Sequence, residues 1–277
     1  MVSVTELHLC YLCPRLLFFH YRDQKKGKSG FEHIGCRSGD LQGTILHDIL
    51  EEVHIDLAGK GDEEMHNKLL EALLNQERDM QFHSHILNHY VLKNRQKIKT
   101  TGLFPLQDAL QIWEKELFSC IDREMNHCNT SDRRNITQIF QSSKRTLIYN
   151  EGGLRIRGEP DAVFFDSVAG NYVIWEFKGM KDANRERVLM QVALYAWLLK
   201  KEIGIPSRGT IFLFENENPI QHFSLDAISA KIAELPSLFE IYHQVIAAVH
   251  NDYMNTLPLT RDRSVCAQCP ISCVEVM

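Results

Sequence analysis

The stretch NYVIWEFKGM, residues 171–180, has the apolar character of a β-strand buried on both faces, yet it carries two charged side chains. Alternate side chains of a strand point to opposite faces, so Trp175 and Phe177 share one face. Glu176 and Lys178 share the other. Buried charges are tolerated when they are paired or bound to a metal ion. The stretch therefore predicts a buried strand with a functional site on one face.

The bulk composition is typical of a globular protein. The chain has 277 residues, 44% of them hydrophobic and 24% charged, which allows one large or two small domains. Its net charge of −5 argues against coating nucleic acid by bulk charge, but it permits a local basic groove. We find no signal-peptide layout and no apolar run that could cross a bilayer, so we expect a cytoplasmic protein with no membrane partner.

The order of patterns along the chain predicts an α/β fold. GTILHDILEEVHIDLAG, from residue 43, has apolar residues at helical spacing, and residues 62–142 suggest several further helices. From residue 144, three β-rich runs are separated by the turn-forming stretches NEGG and DSVAGN, which predicts a β-meander. The helix RERVLMQVALYAWLLKKEIG follows, closed by Gly204 and Pro206, and then a short strand and more helix.

A second carboxylate lies on the neighbouring run of this meander. Asp161 precedes the run DAVFF, and a hairpin can bring it beside Glu176. Two adjacent carboxylates repel each other unless a cation lies between them, and Mg²⁺ or Mn²⁺ prefers oxygen ligands. Lys178 could then orient or deprotonate an attacking water. The alternative is a surface pair of Glu176 and Lys178, with Asp161 as a turn residue.

Two predicted helices carry polar residues that could complete this site. Gly43, His47 and Glu51 lie at i, i+4 and i+8 on one helix face, so His47 could add an imidazole ligand. Gln191 and Tyr195 have i, i+4 spacing on the helix after the strand, where they could hold the lysine and a phosphate. Structural roles for these side chains remain the alternative.

The order His47, Asp161, Glu176-Phe177-Lys178 and Gln191-x-x-x-Tyr195 resembles the PD-(D/E)XK nuclease superfamily in its RecB-like branch. The resemblance implies a restriction-endonuclease-like core, with a mixed β-sheet flanked by helices. It also implies Mg²⁺ or Mn²⁺ held by His47, Asp161, Glu176 and the Phe177 backbone carbonyl. Lys178, Gln191 and Tyr195 would be catalytic residues beside the two carboxylates.

The cysteines narrow the resemblance to the CRISPR-associated exonucleases. Cys13-Pro14-Arg15 resembles that family's N-terminal motif, and CAQCPISC resembles its C-terminal trio, here Cys266, Cys269 and Cys273. The resemblance implies a [4Fe–4S] cluster that joins the two ends of the chain, whereas spacing alone equally allows zinc. Three residues separate the last two cysteines, fewer than the family pattern has, and Cys10 could substitute for a ligand.

The resemblance also predicts an organisation and an activity. We expect an N-terminal segment (1–42), a core helix (43–60), a helical insertion (61–143), a nuclease core (144–215) and C-terminal helices with the cluster cysteines (216–277). The implied activity is a 5′-to-3′ exonuclease on single-stranded DNA, with some endonuclease activity, acting beside the Cas integrase complex. Alternatives are a stand-alone repair nuclease of the same fold, or a non-catalytic iron–sulfur or zinc module that binds DNA.

Further polar groups have both a functional and a structural interpretation. One group of histidines could bind a second metal or serve the core: His83, His85 and His89. Two basic groups could contact DNA phosphates or form a solvated face: Lys93, Arg95, Lys97 and Lys99, and the pair Arg155 and Arg157.

Overall fold

The computed structural model of the chain describes residues 1–25, 41–75, 77–98, 104–128, 133–140, 145–178, 185–214, 218–254 and 256–258. The helices are α1 (Val4–Leu12), α2 (Pro14–Lys25), α3 (Leu41–Leu57), α4 (Glu63–Leu74), α5 (Arg78–His85), α6 (Arg95–Ile98), α7 (Phe104–Cys128), α8 (Arg133–Phe140), α9 (Arg185–Ile203), α10 (Leu225–Ile232) and α11 (Leu235–Asn251). A π-helical turn, Ile86–Val91, continues α5. The strands are β1 (Val2–Ser3), β2 (Leu147–Glu151), β3 (Leu154–Gly158), β4 (Ala162–Asp166), β5 (Asn171–Lys178), β6 (Ser207–Leu213) and β7 (Ile220–Phe223).

The strands form two sheets. The central one has the order β4-β5-β6-β7, with β5 and β6 parallel and the other pairs antiparallel. The smaller one has the order β1-β3-β2, and β1 runs parallel to β3. The crossover from β5 to the parallel β6 passes through α9. The expected α/β class with a mixed sheet is confirmed.

The predicted β-meander is wrong, although both of its turns are confirmed. β2 and β3 form one hairpin and β4 and β5 form another, but β3 and β4 belong to different sheets. The middle run breaks at Glu159-Pro160-Asp161. Pro160 has no N–H to donate to a ladder, and its ring fixes the backbone, so the chain leaves one sheet there and enters the other. The patterns also missed β7, which is short and half-exposed.

Helices cover both faces of β5, which is why both faces of the strand carry apolar side chains. Ile174 points into a core formed with α1, α9 and α11. Trp175 and Phe177 point into a second core, formed with α3, α4, α7 and α8. The alternation expected for this strand is confirmed. Glu176 and Lys178 therefore lie on the α9 side of the sheet.

The helices between residues 61 and 140 belong to the second core. Leu69 of α4, Trp113 of α7 and Phe140 of α8 are all buried in the cluster that contains Trp175. The ring of Phe140 packs edge-to-face on Phe164 of β4, with ring centroids 5.3 Å apart. These helices thus rest on the central sheet and hold α3 in place. Within the described residues, no helix combines the length and apolar character that crossing a membrane requires.

Gly209 lets β6 approach α9, because a Cβ atom there would lie 2.4 Å from Cγ1 of Val192. We predict that Gly209→Ala lowers the free energy of unfolding by about 1–3 kcal/mol through overpacking. Urea unfolding measures the change. In the Val192→Ala background the same substitution should cost clearly less, because the clashing methyl groups are gone. Equal costs in both backgrounds would contradict a steric origin.

Candidate active site

The break at Pro160 puts Asp161 beside β5. The last residue pair of the β4–β5 ladder is Ala162 with Trp175, so β5 extends beyond its neighbour. The Asp161 side chain replaces the missing backbone partner of β5. Its Oδ2 accepts a hydrogen bond from the backbone N–H of Phe177 at 2.7 Å. The N–H and C=O of one strand residue point to the same edge, so the Phe177 carbonyl also faces the Asp161 edge.

Glu176 is the most deeply buried charge of the site, with a relative exposure of 2%. Its Oε1 accepts hydrogen bonds from Lys178 Nζ at 2.6 Å and from Gln191 Nε2 at 2.7 Å. The same Gln191 amide lies 3.3 Å from the hydroxyl of Tyr195, one turn further along α9. α9 therefore places Gln191 against Glu176, whereas the sequence analysis expected Gln191 and Tyr195 to hold the lysine and a phosphate.

His47 joins the group from the opposite side of the sheet. Its Nε2 lies 2.7 Å from Asp161 Oδ1, across 114 positions of sequence. Its other ring nitrogen, Nδ1, lies 3.8 Å from Glu51, which is the next turn of α3. The helix face expected to carry His47 and Glu51 is therefore the one that reaches Asp161.

The electrostatics of the group follow from burial and crowding. Burial, followed by the negative charge of Asp161, raises the pKa of Glu176 to about 7, although Lys178 opposes the shift. Burial by itself would lower the pKa of Lys178, but Glu176 and Asp161 outweigh it and raise that pKa. The hydrogen bond to Asp161 raises the pKa of His47. Two carboxylates thus share one buried space and attract every nearby cation.

The donor set fits a hard divalent cation. Glu176 Oε2 is buried and has no hydrogen-bond partner among the described residues, so one carboxylate oxygen faces the site unused. Carboxylates, an imidazole and a backbone carbonyl are ligands that Mg²⁺ and Mn²⁺ accept. In the described part of the chain, no three His, Cys, Asp or Glu side chains are already arranged to hold an ion. The two oxygens of Asp161 are bonded to His47 and to the Phe177 N–H.

The N-terminal cysteines are close together and buried. Cys13 ends α1, and Cys10 lies one turn earlier. Burial, followed by the proximity of Cys13, raises the pKa of Cys10 to about 12. Arg15 Nε donates to the carbonyl oxygen of Leu257 at 3.2 Å, which ties α2 to the chain just before residue 259. Cys36 and the trio Cys266, Cys269 and Cys273 lie outside the described residues.

Of the three histidines that could bind a second metal, His83 pairs with a carboxylate. His83 Nδ1 lies 2.9 Å from both carboxylate oxygens of Glu114, whose pKa burial raises to about 7. This pair lines a cleft of about 580 Å³ between α5 and α7. His85 and His89 do not join it.

The basic residues are mostly in surface ion pairs. Lys93 pairs with Glu52 and Lys97 with Asp48, so both neutralise acids of α3. Arg155 and Arg157 share the exposed face of β3, as expected, and Arg157 pairs with Glu159. Arg95 is exposed, whereas Lys99 lies outside the described residues.

The sequence patterns missed two histidines beside this site. Burial, followed by the charge of Lys178, lowers the pKa of His8 of α1 to about 4, and His54 of α3 lies beneath Phe177, with ring centroids 5.9 Å apart and nearly parallel planes. Neither belongs to a motif. A polar residue among the buried positions of a helix is the only sequence signal for either.

The fold and the site define a nuclease of the PD-(D/E)XK type, and the family comparison agrees. The PD-(D/E)XK nuclease superfamily matches residues 1–274, so the chain belongs to that superfamily. Its members are nucleases, that is hydrolases, and they typically use Mg²⁺ or Mn²⁺.

Two further comparisons add little to this assignment. No curated protein matches the sequence. Among solved structures, the chain is similar to the one described as "Crystal structure of SSO0001", with 13% identity over 73% of this chain and 82% of that chain. The TM-score of that pair is 0.29.

His54 predicts an acid-sensitive fold. It is 1% exposed, its two ring nitrogens have no hydrogen-bond partner within the described residues, and burial lowers its pKa from 6.5 to about 3. The native state therefore excludes a proton that the unfolded state takes up below pH 6.5. The contribution is complete above pH 6.5 and is lost as the pH falls towards 3, by about 1.4 kcal/mol per pH unit.

We predict that His54→Phe flattens the fall in unfolding free energy between pH 6.5 and 4. Urea unfolding at a series of pH values measures it. The control is His250→Phe on α11, an exposed position that should leave the slope unchanged. An unaltered slope in His54→Phe would contradict the assignment.

Proposed function

We propose that the chain is a metal-dependent exodeoxyribonuclease that hydrolyses the phosphodiester bonds of single-stranded DNA. One observation carries the proposal: the unused, buried Oε2 atom of Glu176 lies in a site shared with Asp161 and Lys178. A structural ion pair would use both oxygens or expose one. A site that binds a cation leaves one carboxylate oxygen without a hydrogen bond and shielded from water.

The roles of the residues follow from their contacts. Asp161, Glu176, His47 and the Phe177 carbonyl would hold Mg²⁺ or Mn²⁺, which when bound supplies a Lewis acid and an acidified water. His47 also orients Asp161 through its 2.7 Å contact. The Phe177 N–H fixes the other oxygen of Asp161, so the carboxylate cannot rotate away from the strand.

Lys178 and the α9 residues would act on the water and the substrate. The Lys178 ammonium lies at the mouth of the site, with its side chain 24% exposed, so it can reach a water that attacks phosphorus. As the water oxygen bonds to phosphorus and the bond from phosphorus to the leaving sugar oxygen breaks, Lys178 would offset the negative charge that develops on the phosphate oxygens. Gln191 holds Glu176 in place and Tyr195 supports Gln191, and in the proposed reaction the two would align the DNA strand.

The finer specificity rests on the sequence resemblance. Polarity from 5′ to 3′, additional endonuclease activity and a role in CRISPR adaptation beside the Cas integrase complex are what the Cys-Pro-Arg motif and the C-terminal cysteine trio suggest. The resemblance also supports a [4Fe–4S] cluster on Cys13, Cys266, Cys269 and Cys273. The Arg15–Leu257 bond supports it further, because it brings the chain end that precedes the trio to within reach of Cys13.

DNA binding would use the exposed face of β3. Arg155 and Arg157 point outward on the strand that leads, through Glu159, to Asp161. A phosphate bound there would lie on the path into the site. Contacts of this kind are independent of sequence and weaken as salt rises.

Digestion of end-labelled single-stranded DNA tests the proposal. With Mn²⁺ or Mg²⁺ the wild type should cut, with EDTA it should not, and the label released first reveals the polarity. Lys178→Ala should cut about 10²- to 10³-fold more slowly, because it removes a group that stabilises developing charge. The control is Lys201→Ala, at the far end of α9, which should retain full activity.

Three other outcomes discriminate between the alternatives. Equal cutting of circular and linear strands would replace the exonuclease with an endonuclease. Activity without any effect of the Cas integrase complex would favour a stand-alone repair nuclease. No cutting by a folded, metal-loaded wild type, on single-stranded or duplex DNA, would refute the enzyme and leave a DNA-binding module.

The proposed cysteine site predicts that the purified protein contains iron. Anaerobically purified wild type should contain about four iron atoms per chain, the content of one [4Fe–4S] cluster. Cys13→Ser should lose them, whereas Cys120→Ser should keep them, because Cys120 lies within α7, where it contacts Glu116 and Arg123 of the same helix. Zinc in place of iron would identify a zinc site. The absence of both metals would mean that the thiols are inert.

A further inference from the structure

A small cavity lies between α9, α10 and the start of β6, and none of the residues that line it belongs to the candidate active site. Its volume is about 230 Å³. Three buried residues line it: Ala196, Ser207 and Ile228, none of them more than 3% exposed. Leu225 and Ile232 of α10 are half-buried and line its sides. The cavity is therefore mostly apolar, with one hydroxyl group among its buried residues.

The Ser207 side chain points towards this cavity. On the same strand, a Cβ atom on Gly209 would lie 2.4 Å from Cγ1 of Val192 on α9 and 3.5 Å from Cδ1 of Ile228 on α10. Side chains two residues apart on a strand share a face of the sheet. Ser207 therefore faces α9 and α10, the two helices between which the cavity lies.

The Ser207 hydroxyl has no hydrogen bond within the part of the chain that the structure describes, although its oxygen is buried. Buried hydroxyl groups are normally paired, because an unpaired one has given up its hydrogen bonds to water. An alanine would avoid this loss, and the ladder between β5 and β6 uses backbone groups only. The hydroxyl is thus available to bond with a molecule in the cavity.

The exposed rim of the cavity carries a positive charge. Lys200 lies one turn after Ala196 on α9 and lines the cavity. Among the described residues it has no ion-pair partner, whereas its neighbour Lys201 pairs with Glu151. The ammonium of Lys200 favours a negative charge at the solvent end of a bound molecule. The other exposed residues of the lining are uncharged: Pro206, Ser229 and Ala233.

We propose that this cavity binds a short aliphatic carboxylate that carries a hydroxyl or carbonyl group at its inner end. The carboxylate pairs with Lys200 at the rim, the methylene chain lies between Leu225 and Ile232, and the inner polar group bonds to Ser207. A group of the size of water takes up about 30 Å³, so the cavity holds a chain of about five methylene groups with its terminal hydroxyl. The inference goes beyond the proposed nuclease reaction and does not depend on it.

Titration of the full-length protein with ω-hydroxyhexanoate, followed by methyl NMR, tests the proposal. Saturable shifts at the methyl groups of Leu225 and Ile228 should locate the site. The ω-hydroxy acid should bind about 10-fold more tightly than hexanoate, which leaves the Ser207 hydroxyl unpaired. It should bind about 2- to 5-fold more tightly than the hexanediol with two terminal hydroxyl groups, which lacks the charge that an exposed lysine attracts.

Two variants separate the two polar contacts. Ser207→Ala should bind hexanoate as well as the wild type does, and it should lose the preference for the ω-hydroxy acid. Lys200→Met should lose the preference for the acid over the diol. The matched control is Lys201→Met, which should keep both preferences because Lys201 pairs with Glu151 and does not line the cavity.

A stability measurement checks the unpaired hydroxyl without any ligand. Ser207→Ala should leave the free energy of unfolding in urea unchanged or raise it, because the substitution removes a buried group that has no bond. A clear loss of stability would show that the protein itself satisfies the hydroxyl, and this would overturn the proposal.

Three binding results would also overturn it. The first is no saturable binding of ω-hydroxyhexanoate at millimolar concentrations. The second is a preference over hexanoate that is absent in the wild type or that survives in Ser207→Ala. The third is a shift of the Ile228 methyl groups that follows protein concentration without added acid, because a second copy of the chain would then fill the cavity.

Discussion

The bond between the Asp161 carboxylate and the Phe177 backbone N–H is the contact on which the rest of the site depends. β4 begins at Ala162, opposite Trp175, so the last three residues of β5 have no partner on β4, and a side chain takes the place of the missing backbone partner. The replacement leaves a carboxylate at a strand edge, where His47 of α3 can reach it. One bond thus joins the strand that carries Glu176 and Lys178 to the helix on the opposite face.

Burial strengthens the electrostatic interactions among Glu176, Asp161 and Lys178. In water, Glu176 and Asp161 would repel each other weakly, and Lys178 would gain little from either. Between two apolar cores the same charges interact strongly, so Lys178 is held as a cation and Glu176 tends to take up a proton. A divalent ion offsets the repulsion between the two carboxylates better than a proton does, because it interacts with both at once.

Local patterns predicted much of the fold. The alternation of Trp175 and Glu176, the helical spacing around His47 and the helix that ends at Gly204 follow from rules that act within a few residues. The split at Pro160 was missed, because whether a bent strand stays in one sheet depends on partners far away. His54 was missed for the same reason: its ring packs against Phe164 and Phe177, more than a hundred residues away in the sequence. Motif spacing found the residues that touch each other, and it could not find those that only support them.

The packing of α1 and α2 against α11, near the Arg15–Leu257 bond, has a consequence for how the chain folds during synthesis. The apolar faces of α1 and α2 pack against α11, which emerges from the ribosome more than two hundred residues later. The buried residues of the other core, from α3 to β6, all precede α11 in the sequence. During translation, α1 and α2 therefore keep apolar surface exposed until α11 has been synthesised. Such long-range closure slows folding and leaves apolar surface that is prone to aggregation exposed on the nascent chain.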